Sequence, residues 1–89
     1  MTDESWSIAF IPSGRKDLNR LDQQVRRRVY TALQRLAADP DHTTGVRKLT
    51  GRSDSRLRVG DWRVSFETDR ESRTVIVHRV LTRGRAYNR

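Results

Sequence analysis

Cysteine is absent from this chain of 89 residues, which removes both a disulfide framework and a thiolate metal site. Its two histidines, His42 and His78, are too few for a histidine-based metal site, and no cofactor is expected. Long apolar runs are lacking as well. Nothing approaches the roughly 20 residues of a membrane-spanning helix. Met1 to Ser7 carry Asp3 and Glu4 and no apolar stretch, so a signal peptide is not expected there. A soluble cytoplasmic protein is the expectation. No repeat, linker or second domain stands out, and residues 1–89 read as one domain with one modest core.

Charge of the two signs is balanced in one half only. Residues 1–46 hold seven Arg and Lys against six Asp and Glu, whereas residues 47–89 hold twelve against five. The formal net charge of +8 is thus concentrated in the second half, which points to a nucleic-acid partner. Arginine outnumbers lysine by seventeen to two, and its planar fork suits bidentate phosphate contacts.

Within that basic half, Arg56 to Arg63 reads as a hairpin with Gly60-Asp61 at its tip. Glycine in the first loop position suits a type II′ turn, which needs a positive φ there. Counting outward pairs Val59 with Trp62, Leu57 with Val64 and Ser55 with Phe66 on a core face. The other face sets Arg58 directly across from Arg63, with Arg56 beside Ser65. Like charges in direct opposition destabilise a sheet. A sheet that accepts this is expected to hold an anion, and a phosphate backbone fits best.

The remaining elements follow from periodicity. Ser5 to Ile11 reads as a strand, with Trp6, Ile8 and Phe10 alternating. Pro12 ends it, and Ser13 is expected to cap a helix from Gly14 to Arg20 that turns Leu18 and Leu21 inward. Asp22 caps a second helix, in which Val25, Val29, Ala32, Leu33 and Leu36 recur at spacings of three and four. That helix stops at Asp39-Pro40. Its basic run Arg26-Arg27-Arg28 covers almost a full turn and reads as a solvated face. Asp41 to Asp54 reads as a polar loop containing Arg47, Lys48 and Arg52. Thr74 to Leu81 is the last strand. Its alternation breaks near His78-Arg79-Val80, as a bulge or a strand buried on both faces would require. The sum is an α+β fold of order β-α-α-β-β-β. It is a two-layer sandwich with a mainly antiparallel sheet, and both N-terminal helices pack on one face.

In this order and spacing the chain resembles the RelE/ParE toxin superfamily of bacterial toxin–antitoxin systems. The residues carrying the resemblance are Lys48-Leu49-Thr50-Gly51, the run Arg56-Leu57-Arg58-Val59-Gly60-Asp61-Trp62-Arg63-Val64, then Val80-Leu81-Thr82-Arg83 and Tyr87. The resemblance implies a small toxin neutralised by a cognate antitoxin. Branches near RelE cleave mRNA, usually on the ribosome, and branches near ParE act on DNA gyrase.

Carried over by position, the RelE branch implies a metal-independent endoribonuclease with Arg56, Arg58, Arg63, Arg83 and Tyr87 in its active site. Arg47, Lys48, Arg52 and Arg85 are expected to bind RNA around it. Two departures bear on proton transfer. Arg56 stands where the RelE branch often has a lysine able to act as base, and Leu81-Thr82 stand where Gly-His is usual. An arginine keeps its proton and is a poor base. Tyr87 can donate or accept a proton, or stack on a base. His78 suits a base by chemistry, yet its place between Val77 and Val80 suits a structural, partly buried side chain. His42 is expected at the surface.

The leading reading is therefore an mRNA-cleaving toxin that depends on the ribosome to position its substrate. Its partners are ribosome, mRNA and an acidic antitoxin segment that folds upon it into a hetero-oligomer. A gyrase inhibitor and a non-catalytic RNA-binding module are the alternatives.

Overall fold

The computed structural model describes residues 5–48 and 54–86. Among the described residues, five strands and three helices follow the order β1 (Ser7–Phe10), α1 (Pro12–Arg20), α2 (Gln23–Ala38), β2 (Val46–Lys48), β3 (Ser55–Val59), β4 (Trp62–Asp69), β5 (Thr74–Thr82) and α3 (Arg83–Ala86). The strands form one sheet in the order β1-β5-β4-β3-β2. β1 runs parallel to β5, and every other neighbouring pair is antiparallel. The α+β architecture is the expected one, with one strand and the four-residue α3 added. β2 lies inside the stretch read as a loop. It has three residues, and only Val46 is apolar, so no period-2 pattern could announce it. Among the described residues no helix is long and apolar enough to cross a membrane.

The helices and one sheet face share the core. Leu18, Val29, Leu33 and Leu36 from the helices meet Leu57, Val64, Phe66, Val75, Val77 and Val80 from the sheet, and all are essentially buried. Full burial of one such side chain contributes about 1.5–3 kcal/mol. Trp6, Ile8 and Phe10 pack partly buried against this cluster. Val77 and Val80 are three residues apart yet share the core face. The β4–β5 register explains this, since Ser65 pairs with Arg79 and Phe66 with Val77, which leaves His78 as the extra residue. The expected break in alternation is thus a bulge, and it resets the inward period by one.

The helix caps differ from one another. Asp22 accepts from the Val25 N–H at 3.0 Å, a cap that contributes about 1 kcal/mol. At α1 the expected cap is not formed. Helix α1 begins at Pro12, whose missing N–H is one the first turn would leave unpaired anyway, and Ile11 takes the cap position without a side-chain bond. Ser13 is inside the helix, and its hydroxyl donates to the His78 carbonyl at 3.0 Å.

That bond belongs to a larger device. β1 ends at Phe10, so among the described residues no strand continues it along the β5 edge beyond Val77. α1 takes its place. Ser13 satisfies the His78 carbonyl, and one turn later Asp17 accepts from the Val80 N–H at 2.9 Å. Gly14 lies between them, and a Cβ at Gly14 would stand 2.6 Å from the Val77 carbonyl oxygen. Only glycine lets the helix backbone approach this closely.

Candidate anion-binding site

The β3–β4 hairpin has the register that its sequence implies. Val59 pairs with Trp62, Leu57 with Val64 and Ser55 with Phe66, while Arg58 faces Arg63 and Arg56 faces Ser65. Gly60 has φ 58°, and Asp61 is not among the positive-φ residues. This matches a type II′ tip rather than type I′. β2 adds a third row. Val46 pairs with Leu57 and Arg47 with Arg56. Alternation therefore puts Arg47 on the face of Arg56, Arg58 and Arg63, away from the helices.

These side chains line a common hollow. Arg47, Arg56, Arg58, Arg63 and Arg83, with Gly45 and Val46, enclose a concavity of ≈ 540 Å³. No Asp or Glu is among these lining residues. Two backbone tethers hold the frame. The Arg58 N–H donates to the Gly45 carbonyl at 3.0 Å, which anchors the loop before β2. The Arg83 N–H donates to the Asp61 carbonyl at 2.8 Å, which ties the start of α3 to the hairpin tip.

Arg63 is fixed through its side chain. Its Nη1 donates to the carbonyls of Gly60 and Trp62, each at 2.9 Å. The opposition of Arg58 and Arg63 is therefore offset in part by carbonyl dipoles of the turn, with no carboxylate needed. This modifies the expectation that the pair is tolerated only for the sake of an external anion. One guanidinium nitrogen of Arg63 holds the turn, and the half-buried side chain still borders the hollow.

Of the residues anticipated for the site, the structure brings Arg47, Arg56, Arg58, Arg63 and Arg83 together. Lys48 is exposed and not part of this lining. It sits one residue beyond Arg47, opposite Ser55, and so on the other face of the strand. Arg52, Tyr87 and the side chain of Arg85 lie outside the described residues. Gly45 and Val46 were not anticipated. A glycine beside a basic pair was the available signal, and Gly45 does take a positive φ of 89°.

The histidines lie elsewhere. His78 Nε2 is 3.4 Å from Glu67 Oε1 in a partly exposed pair, and His42 Nδ1 is 3.0 Å from Asp39 Oδ1 at the surface. Neither lines the hollow. The remaining charged pair of note is structural. Asp17 is 6% exposed and receives Arg79 Nε at 2.7 Å and Nη2 at 3.3 Å. Burial pushes the Asp17 carboxyl up. The bonds from Arg79 and the Val80 N–H, with the charges of Arg79 and Arg20, outweigh it and hold the carboxyl below its ordinary value of 3.8.

Chemically, the hollow offers preorganised positive charge on a rigid sheet. That is what a phosphate or a phosphorane-like transition state requires. Among the described residues its lining contains neither an imidazole nor a carboxylate that could move a proton.

Comparison with known proteins agrees with this architecture. Residues 8–87 match the family model described as ParE toxin of type II toxin-antitoxin system, parDE. Among solved structures, the chain resembles the RelBE2 toxin–antitoxin complex of Mycobacterium tuberculosis, with a TM-score of 0.78 and 22% identity over 92% of this chain and 95% of that one. The archaeal RelE–RelB complex of Pyrococcus horikoshii gives 0.77 and 23% over 91% and 98%. The intact RelBE complex of E. coli gives 0.74 and 21% over 88% and 96%. At these identities the likeness is one of fold. No curated protein sequence matches the chain significantly.

Proposed function

The chain belongs to the ParE toxin family of type II toxin–antitoxin systems, within the RelE/ParE superfamily, and from that premise we propose that it acts in the cytoplasm as a metal-independent endoribonuclease on mRNA. The observation that carries this reading is the hollow lined by five arginines and no carboxylate. A poison that works only through a protein surface has no need of such a hollow, whereas phosphoryl chemistry does.

In the proposed reaction the 2′-oxygen of one ribose attacks the adjacent phosphorus. An O2′–P bond forms, the P–O5′ bond breaks, the 2′-hydroxyl proton leaves to a base and the 5′-oxygen gains a proton. The phosphorane between these events carries excess negative charge. Arg58, Arg63 and Arg83, with Arg56 beside them, would bind that charge better than the charge of the ground state, the condition for acceleration. Removing one such donor costs about 2.7–4 kcal/mol in comparable sites. Arg47 would hold a flanking phosphate. Tyr87 is the proposed proton-transfer group, and Lys48, Arg52 and Arg85 are proposed as outlying RNA contacts.

Because the arginines supply charge and no base, this reading gives much of the positioning to the ribosome, which orders mRNA and raises the effective concentration of the reacting groups. The cognate antitoxin is the proposed partner in a hetero-oligomer. Its acidic segment would be attracted to the basic half of the chain.

The test is induced expression in a bacterium, followed by primer-extension mapping of transcript ends for wild type, Arg58→Ala and Arg63→Ala. Arg58→Ala is the cleaner variant, since Arg63 also holds the turn. New ends inside translated frames, absent for Arg58→Ala, are the expected result. The match to a model of ParE toxins, together with the lack of an imidazole or carboxylate among the described residues that line the hollow, favours gyrase inhibition as the second reading. Growth arrest with DNA-damage signalling and no new transcript ends would select it.

A further inference from the structure

A second basic concavity lies beside the arginine hollow. It is a groove of ≈ 600 Å³ between the polar side of α2 and the open end of β3, lined by Arg27, Arg28, Thr31, Arg35, Arg58 and Val59 among others. No Asp or Glu is among its lining residues. Arg58 borders both spaces. β2 is too short to cover the end of β3, because its pairing stops at Val46 and Leu57. Beyond that pairing the Gly45 carbonyl, which accepts from the Arg58 N–H, lies beside β3, and the exposed Arg58 side chain borders both the sheet's open face and the α2 groove.

The groove is built onto the same hairpin tip that orders the hollow. A Cβ at Gly60 would lie 2.9 Å from Arg28 Nη2, so α2 meets the turn whose carbonyls hold Arg63. Arg27, Thr31 and Arg35 follow one another at a spacing of four, on one side of the helix. From Arg27 to Arg35 the helix advances about 12 Å, at about 1.5 Å per residue. That length exceeds what a single phosphate spans.

We propose that the α2 groove is a second subsite for the same single-stranded RNA, which leaves the arginine hollow past Arg58 and lays its flanking phosphates along Arg27, Arg28 and Arg35. This rests on the ribonuclease reading and extends it to the length of substrate engaged. A polynucleotide carries a negative charge at every residue, as a track of arginines without carboxylates requires. The apolar floor at Ala32 and Val59 suits sugar and base edges. An acidic peptide presents carboxylates only at intervals and would leave part of the track unmatched.

The experiment measures binding of 2′-O-methylated RNA, which cannot be cleaved by 2′-hydroxyl attack, by fluorescence anisotropy across a salt series. A tetranucleotide fits the hollow alone, and a dodecanucleotide reaches the groove. The proteins are wild type, Arg27→Ala/Arg35→Ala and Arg27→Lys/Arg35→Lys, each checked for an unchanged melting temperature. For the dodecanucleotide, the alanine pair should lower the slope of log K against log salt by about 1.4, at about 0.7 per lost phosphate contact. The lysine pair should restore it, and tetranucleotide binding should not change. Equal slopes for wild type and the alanine pair, with both RNAs still bound, would overturn the second subsite and leave the ribonuclease reading standing. No binding of either RNA by wild type would likewise overturn the second subsite, while the ribonuclease reading, which leaves positioning to the ribosome, is decided by the transcript-end mapping. If the alanine pair binds RNA normally but loses affinity for its antitoxin, the groove belongs to the protein partner and the proposal fails.

Discussion

Arg58 and Arg63 face one another directly across β3 and β4, yet they hold different positions in the molecule. Arg63 turns a guanidinium nitrogen back onto the Gly60 and Trp62 carbonyls. Arg58 is exposed and stands between two basic concavities. One member of the pair is thus built into the hairpin and the other faces outward. Stability and function should therefore separate at position 58.

Arg58→Glu is expected to show that separation. The new carboxylate would face Arg63, and an opposite-charge cross-strand pair contributes about 0.2–1 kcal/mol. The melting temperature should hold or rise. Endonuclease activity should fall at least about 100-fold, the loss expected for one charge-stabilising donor. Thermal melts and transcript-end mapping on the same variant decide the matter. A lower melting temperature with retained cleavage would mean that the pair is structural and that the hollow does not act on phosphate.

Asp17 clips α1 to the sheet edge, so its loss should be felt globally. Asp17→Ala leaves the buried Val80 N–H without its acceptor, a cost of about 1–3 kcal/mol. Asp17→Asn keeps an oxygen for that N–H and should cost less. Urea denaturation gives both values. A double-mutant cycle with Arg79→Ala isolates the ion pair, which should be small because Arg79 is about half exposed, with 47% of its side-chain surface accessible. Equal costs for the alanine and asparagine variants would show that the N–H bond is not the anchor.

The same residue makes stability depend on acid. The Asp17 carboxyl is held below 3.8 in the folded chain, so the unfolded state binds the proton more readily. The stabilisation from this group is complete above the ordinary carboxylate value and disappears as pH falls from there through the lower folded value. The difference in unfolding free energy between wild type and Asp17→Asn should be flat near neutrality and shrink below pH 3.8. A difference that shrinks already at neutral pH would point to another group.

Gly14→Ala tests the close approach of α1 to β5. In an ordinary helix the change would be favourable, since alanine is the better helix former. Here the added Cβ meets the Val77 carbonyl at 2.6 Å. Backbone must move, and about 1–3 kcal/mol should be lost, as in other overpacked sites. A stabilised variant would mean that α1 can slide without cost.

The sequence alone carried the parts governed by local rules. Period-2 alternation and one glycine set the hairpin register, down to the opposition of Arg58 and Arg63. Period-3.6 spacing placed α2 and its buried stripe, and an aspartate stood at its cap. The break at His78 was visible as lost alternation. These features depend on neighbours a few residues apart, and such patterns repeat along the chain.

What the sequence did not carry depends on partners distant along the chain. β2 has no pattern of its own and exists because β3 offers a free edge. Ser13 read as a cap, yet its hydroxyl goes to His78, whose place beside α1 depends on where β1 ends. Nothing local distinguishes Asp17 from a solvated acid until the Val80 N–H arrives next to it. Arg27, Arg28 and Arg35 are exposed, as a solvated helix face should be, but the groove they line takes its second wall from β3. A side chain's chemistry is written in its residue type. Whether it meets water, a carbonyl or another arginine is settled only when the sheet brings distant segments together.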